Sequence, residues 1–174
     1  METLNLIQGT TEWHRVRLQH GTASEAPAMM GCSKYMTRSQ LLDLKKTGIA
    51  EEIDAHTQRL FDKGHAAEAS IRQVVEKLIG ADLYPVTGTE TIDGTRLLAS
   101  FDGITMLEDI VFEHKLWNKK LAADVVTESL DPHYYWQLEQ QLLVSGAKKA
   151  IFVVSDGTEE NMVFMWYEPQ PGLA

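Results

Sequence analysis

Cysteine is almost missing from this 174-residue chain, with Cys32 the single one. One thiol makes no intrachain disulfide, no four-cysteine zinc site and no chain-contained iron–sulfur cluster. Long apolar runs are also missing: none approaches the roughly 20 residues that span a bilayer. The opening METLNLIQGTTEW has no signal-peptide pattern. A reducing, cytoplasmic setting is therefore the expectation. There is no GxGxxG, P-loop or GxSxG, and the six histidines show no zinc-ligand spacing such as HExxH, so the chemistries those motifs signal lack support. Repeats, low-complexity tracts and Pro-, Gly- or Ser-rich linkers are lacking too, and a single domain over residues 1–174 is expected. Basic charge is scarce, at 16 Lys+Arg against 25 Asp+Glu and a net −9. That argues against a simple basic DNA-coating protein. It leaves open an enzyme that reaches phosphates through bound metal.

What the chain does contain is globular in proportion, 44% hydrophobic and 24% charged. No Lys or Arg follows residue 150, whereas Arg15, Arg17, Lys34, Arg38, Lys45 and Lys46 gather near the start. The first half reads as helices. Thr11 caps a short one through Arg17, Ser24 caps another over residues 25–30 closed by Gly31, and residues 37–47 form a third ended by Gly48. A longer helix runs over 65–79, where Ile71, Val74, Val75, Leu78 and Ile79 share a stripe and Gly80 supplies the stop. Lys63, Arg72 and Glu76 take its solvated sides. The second half changes period. Residues 83–87, 96–101, 109–116, 149–155 and 161–167 read as strands. Between the third and fourth, Asp131-Pro132 opens a helix that Gly146 closes. The order predicts an α+β or mixed α/β fold.

On the strand DIVFEHKLW, Val111, Glu113 and Lys115 share one face, and Ile110, Phe112, His114 and Leu116 the other. Glu113 and Lys115 then lie about 7 Å apart along the strand, pointing the same way. The preceding LLASFDG ends near Asp102, and GITMLED folds the two into a hairpin in which Asp102 and Glu113 meet across the pair. Two carboxylates converging beside a lysine either neutralise or bind a divalent cation. An isolated Glu-x-Lys is ordinarily a surface ion pair, and Asp43-Leu44-Lys45 repeats the form inside a helical stretch. Glu68 lies in register with Ile71, Val75 and Leu78, at the edge of the apolar stripe, where a carboxylate is costly unless paired or metal-bound. The plain alternative is a glutamate favoured near a helix N-terminus. Gln137 and Gln141 share a helix face near Tyr134 and Tyr135. Arg17, Thr22 and Ser24 precede a helix start, a grouping that suits a phosphate, against the ordinary reading that Ser24 only caps the helix. His114 faces away from Glu113 and Lys115 and reads as a packed residue.

Five segments in one order carry a resemblance: EWHRVRLQHGTASE, KGHAAE, LLASFDGI, FEHK and YYWQLEQQLLVSG. Together they resemble the PD-(D/E)XK nuclease superfamily and, within it, the phage-type recombination exonucleases, the group of bacteriophage lambda exonuclease and the YqaJ-like nucleases. The resemblance implies a restriction-endonuclease-like core, a central mixed β-sheet flanked by helices. It implies Mg²⁺, with Mn²⁺ able to substitute, held by Asp102, Glu113 and the His114 backbone carbonyl, with Glu68 acting through water. Asp93, one residue out of register, is a further candidate acid. Lys115 takes the catalytic lysine's place. Gln137 takes that of the family's glutamine, with Gln140 and Gln141 as alternatives. Arg17, Ser24 and Ser100, beside Thr22, resemble a pocket for a 5′-phosphate. The proline of the motif's name is absent, since Phe101 precedes Asp102; that position contributes geometry rather than charge. The activity implied is 5′→3′ degradation of double-stranded DNA ends, leaving 3′ single strands for an annealing protein, by a ring-shaped homotrimer. A structure-selective or nicking endonuclease on the same core, or a catalytically silent DNA-binding module, are the competing readings. The chain ends at PQPGLA, where relatives of this kind usually continue into further helix.

Overall fold

Three glycines in left-handed conformation end the three longest helices, as the sequence leads one to expect. A computed structural model describes residues 1–49 and 54–172. In chain order the elements are β1 (Glu2–Leu4), α1 (Thr11–Leu18), β2 (Gly21–Thr22), a 3₁₀ turn (Ala23–Glu25), α2 (Ala26–Met29), α3 (Arg38–Thr47), α4 (Ala55–Ile79), β3 (Tyr84–Ile92), β4 (Thr95–Ile104), β5 (Ile110–Leu116), α5 (Lys119–Val126), α6 (Pro132–Ser145), β6 (Lys149–Ser155) and β7 (Met162–Tyr167). Gly48, Gly80 and Gly146 cap α3, α4 and α6 at φ near +71°, where a side chain would be strained. Asp131 accepts from the His133 N–H and Pro132 starts α6, so that start also matches the sequence reading.

Several boundaries move. The long helix begins at Ala55, ten residues before the expected start at 65, because Asp54 caps it and its first turns are mostly polar. Ser24 is not a cap. Thr22 precedes the 3₁₀ turn, and the Glu25 carboxylate accepts from the Thr22 N–H at 3.2 Å. Thr10, not Thr11, caps α1. Leu78 stays about half exposed, off the buried stripe. β1, β2 and α5 were unforeseen.

The sheet runs β1-β3-β4-β5-β6-β7, with β2 on β4. β5 and β6 are parallel, as are β2 and β4; the other pairs are antiparallel, so the sheet is mixed. One core lies under α5 and α6, around Phe101, Val111, Val125, Leu138, Leu142 and Phe152. The other lies under α4, where Ile71 and Val75 meet Leu83, Phe112, Ile151 and Val153. Each buried branched or aromatic side chain here contributes roughly 1.5–3 kcal/mol. Among the described residues no helix is long and apolar enough to cross a membrane.

One edge of β4 is shared. β5 pairs with it at Gly103 and Ile104, and β2 at Leu97 and Leu98. Between those contacts the sheet forks. Opposite β3, three residue steps of β4 (Phe101 to Ile104) match two of β3 (Tyr84 to Val86), a bulge beside Asp102. Gly103 is required there: a Cβ would fall 2.9 Å from Leu83 Cβ and 3.2 Å from the Phe112 ring.

Candidate active site in the fork of the sheet

The fork leaves backbone carbonyls of β4 without a neighbouring strand, and side chains take its place. The Ser100 carbonyl accepts from Gln141 Nε2 at 3.2 Å and the Asp102 carbonyl from Arg72 Nε at 2.9 Å, while Gln140 Nε2 reaches the carbonyl of Leu98, the last position paired with β2, at 3.2 Å. Unpaired buried carbonyls are costly, so these bonds are part of the fold. Across the fork, where the β4–β5 ladder ends, the Asp102 carboxylate takes over as acceptor from the His114 N–H at 2.8 Å.

Glu113, 2% exposed, faces α6 at this point. Its Oε1 accepts from Lys115 Nζ and from Gln137 Nε2, each at 2.6 Å, and its Oε2 from Gln141 Nε2 at 2.6 Å. Lys115 Nζ also donates to Gln137 Oε1 at 3.1 Å. The shared strand face of Glu113 and Lys115 therefore brings them into direct contact, and Gln137 completes a triangle. Gln140 turns away, bonded to the Gly21 and Leu98 carbonyls. Glu68, on α4, is paired with Arg72 at 2.5 Å. Arg72 and Glu76 are not solvated: Arg72 joins Glu68 to the Asp102 carbonyl, and Glu76 accepts from the Leu83 N–H at 2.9 Å. A short loop packs against α4. In the β6–β7 loop, Gly157 (φ +100°) sits so close to the helix that a Cβ would meet Ala67 Cα at 2.9 Å, next to Glu68.

The electrostatics are those of crowded anions. Burial and the nearby charges of Glu113 and Glu68 hold the Asp102 carboxyl well above its ordinary pKa. Burial likewise raises Glu68, against the pull of Arg72. Burial works to lower the Lys115 ammonium, but Glu113 and Asp102 outweigh it and raise its pKa, keeping the cation. Such a carboxylate set is stabilised either by protons or by a hard cation, so its donor chemistry fits Mg²⁺. No three His, Cys, Asp or Glu side chains of the described residues converge on one ion position. A fitting ion therefore draws on backbone and water oxygens as well, which Mg²⁺ ordinarily does. His114 is buried against Ser155 Oγ at 2.9 Å, and burial lowers its pKa to about 4, as suits a packed neutral ring.

Two candidates stand elsewhere. Asp93 is exposed at the tip of the β3–β4 hairpin, where Ile92 pairs with Thr95 and Asp93-Gly94 both have positive φ. It is a turn residue of the type this geometry favours, about seven strand positions, or roughly 24 Å, from Asp102. Ser100 keeps its hydroxyl 3.3 Å from that of Thr87. The remaining trio does assemble: Arg17 Nη2 donates to Ser24 Oγ at 3.1 Å, and Thr22 Oγ1 lies 3.3 Å from Ser24 Oγ. Arg17 stacks 4.4 Å from the Trp13 ring; burial lowers its pKa, opposed by Glu25. An apolar cleft of about 510 Å³ between α3, α6 and the 3₁₀ turn contains none of the fork's carboxylates.

Sequence reasoning missed Arg72 as part of the site and named Gln141 only as an alternative to Gln137, since the roles of both depend on a gap in the sheet. Gln141 at helical spacing from Gln137 was the available signal.

Comparison with known proteins agrees with this fold. The family model for the YqaJ-like viral recombinase domain matches residues 12–148. The crystal structure of an alkaline exonuclease (LHK-Exo) from Laribacter hongkongensis has a TM-score of 0.73 at 25% identity, covering 94% of this chain and 84% of that one. The same exonuclease in complex with dAMP gives 0.70 at 26%, covering 92% and 83%. A phage related exonuclease from Haemophilus somnus 129PT shares the fold, with a TM-score of 0.60 at 11% identity, covering 90% and 87%. No curated protein matches the sequence significantly. With the family match spanning most of its length and its fold that of the alkaline exonucleases, the chain belongs to the YqaJ-like viral recombinase domain family, and it is a nuclease of the phage recombination type.

Proposed function

We propose that this nuclease is a Mg²⁺-dependent exonuclease that degrades double-stranded DNA from its ends in the 5′→3′ direction and leaves 3′ single strands. The observation that carries the reading is the Lys115–Glu113–Gln137 triangle beside Asp102, at the fork between β4 and β5. Asp102, Glu113 and the His114 carbonyl would hold Mg²⁺ (Mn²⁺ substituting), with Glu68 outside them; the ion supplies Lewis acidity toward a phosphate oxygen and acidity to water. Lys115 is fixed by two acceptors and keeps its third N–H for a water or a phosphate oxygen. Gln137 holds the lysine and the glutamate in one geometry. Arg17, Thr22 and Ser24 offer a guanidinium and two hydroxyls to a terminal 5′-phosphate. Ser100 is two positions from Asp102 on β4, and the trio borders the same strand through the pairing of Thr22 with Leu98. That arrangement supports release of mononucleotides from the gripped end, and the relative solved with dAMP holds a nucleoside monophosphate. The setting inferred is the cytoplasm of a bacterial host, with a homo-oligomer, trimeric by resemblance, handing the 3′ strand to an annealing protein.

The test is digestion of end-labelled linear duplex, with and without a 5′-phosphate, in Mg²⁺ and in EDTA. Labelled mononucleotide should appear from the 5′ end, faster on phosphorylated ends, and not in EDTA. Rapid nicking or linearisation of closed circular plasmid would instead support an endonuclease.

A further inference from the structure

We infer that Gln141 is a positioning residue for this nuclease, the group that fixes Glu113 in the geometry its function needs; the inference rests on the metal-dependent reading above. Gln141 is fully buried, at 0% exposure, on the face of α6 that meets the fork. A glutamine in that position is unexpected on packing grounds, since its neighbours along the helix, Leu138, Leu142 and Val144, are core residues. Its amide explains it. One N–H of Nε2 reaches the orphaned Ser100 carbonyl at 3.2 Å and the other reaches Glu113 Oε2 at 2.6 Å. Both targets accept only, so the amide has one workable orientation: turned over, its oxygen would face a carbonyl and a carboxylate. That orientation leaves Oε1 buried without a partner. An unsatisfied acceptor is tolerated here in exchange for a bridge between β4 and the carboxylate of β5.

The division of labour on Glu113 is informative. Lys115 and Gln137 both bind Oε1, on the partly exposed side. Gln141 alone among the described residues binds Oε2, from the buried side. It therefore sets the rotation of the carboxylate without touching anything that enters the site. It also ties that rotation to Ser100, two residues from Asp102, so the two carboxylates are held relative to each other through one amide. Residues of this kind, outside the direct contacts of a metal site, are worth 10–100-fold in metal affinity or activity.

The experiment compares wild type with Gln141→Met, which keeps the volume and removes both donors. Mn²⁺ binding to the protein alone, by electron paramagnetic resonance, and kcat and KM on linear duplex are measured alongside the thermal midpoint. Mn²⁺ affinity and kcat should each fall 10-fold or more, while KM for DNA stays within about 3-fold. Gln141→Glu, equal in size but lacking the amide donors, should fall at least as far. Should neither variant fold, the Gln141 side-chain amide resonances of ¹⁵N-labelled wild type decide: they should shift on Mg²⁺ addition, and an unmoved pair overturns the inference. Mn²⁺ affinity and kcat within twofold of wild type in a folded Gln141→Met also overturns it. If wild type binds no Mn²⁺ and hydrolyses DNA equally in EDTA, the metal-dependent reading fails instead.

Discussion

Two lysine–glutamate pairs in this molecule look alike at the level of the bond and differ in what surrounds them. Lys45 and Glu25 are 2.7 Å apart, Lys115 and Glu113 2.6 Å. Lys45 also donates to the Arg17 carbonyl at 2.6 Å and to the His20 carbonyl at 2.8 Å. All three of its N–H groups are spent clamping α3 to the end of α1 and to the 3₁₀ turn. Lys115 has two acceptors among the described residues, Glu113 and Gln137, and so retains a donor. The ion pair itself carries little information. What separates a structural lysine from a chemical one is the count of its protons already committed to the protein.

The contrast is sharpest in Lys115→Met. Hydrolysis of linear duplex should drop on the order of 10²–10³-fold or more, and the thermal midpoint should fall as well, because Glu113 keeps its Gln137 and Gln141 donors but loses its cation. Wild-type turnover in this variant would break the comparison. Next in size is the pH response of the same strand. His114 is buried with its pKa lowered to about 4, against about 6.5 unfolded. Between those values the unfolded chain binds the proton and the native one does not, so stability falls as pH drops from about 6.5 to 4, by on the order of 3 kcal/mol. Midpoints measured across that window in wild type and in His114→Gln should diverge, the variant being flatter.

On the other side of the comparison, Lys45→Met strands Glu25 and two carbonyls. It should lower stability by roughly 2 kcal/mol, about 4–8 °C in a domain of this size, and leave turnover at permissive temperature nearly intact. A large loss of turnover with no loss of stability would merge the two lysines into one class. Gly157→Ala introduces strain at positive φ and a contact with α4 beside Glu68; an effect of about 1–2 kcal/mol on stability is expected, with a several-fold loss of activity in the same assay. The smallest effect belongs to Ser24→Ala. Its reading is the ratio of rates on phosphorylated and unphosphorylated ends, which should shrink by roughly 3–10-fold, with the rate on unphosphorylated ends preserved.

These differences mark how far the sequence could be read. The alternation along β5 put Glu113 and Lys115 on one face correctly, because a strand has only two faces and Val111 and Phe112 label them. Gly48, Gly80 and Gly146 placed helix ends correctly for a similarly local reason, the cost of a Cβ at positive φ. Asp93 failed because an Asp-Gly hairpin turn is also local, and there it competes with a catalytic reading of the same residue. Asn118 caps α5 and gave a legible signal that was passed over. Gln140 and Gln141 were legible only as alternatives to Gln137, and Arg72 only as a solvated residue. Arg72 and Gln141 answer carbonyls of β4 in the stretch left between β2 and β5, which take opposite ends of one strand edge. That is a property of topology, invisible to period or spacing.

The fork has a further consequence for how the protein behaves in a crowded cell. An open strand edge in the middle of a sheet is a template onto which another chain can add, the first step of edge-to-edge aggregation. Here the stretch of β4 between its pairings with β2 and β5 is closed by the Arg72 guanidinium and the Gln141 amide, each occupying an acceptor that an invading strand would need. The side chains that shape the candidate site thus also act as its gatekeepers against self-association. Losing them would threaten solubility as well as turnover.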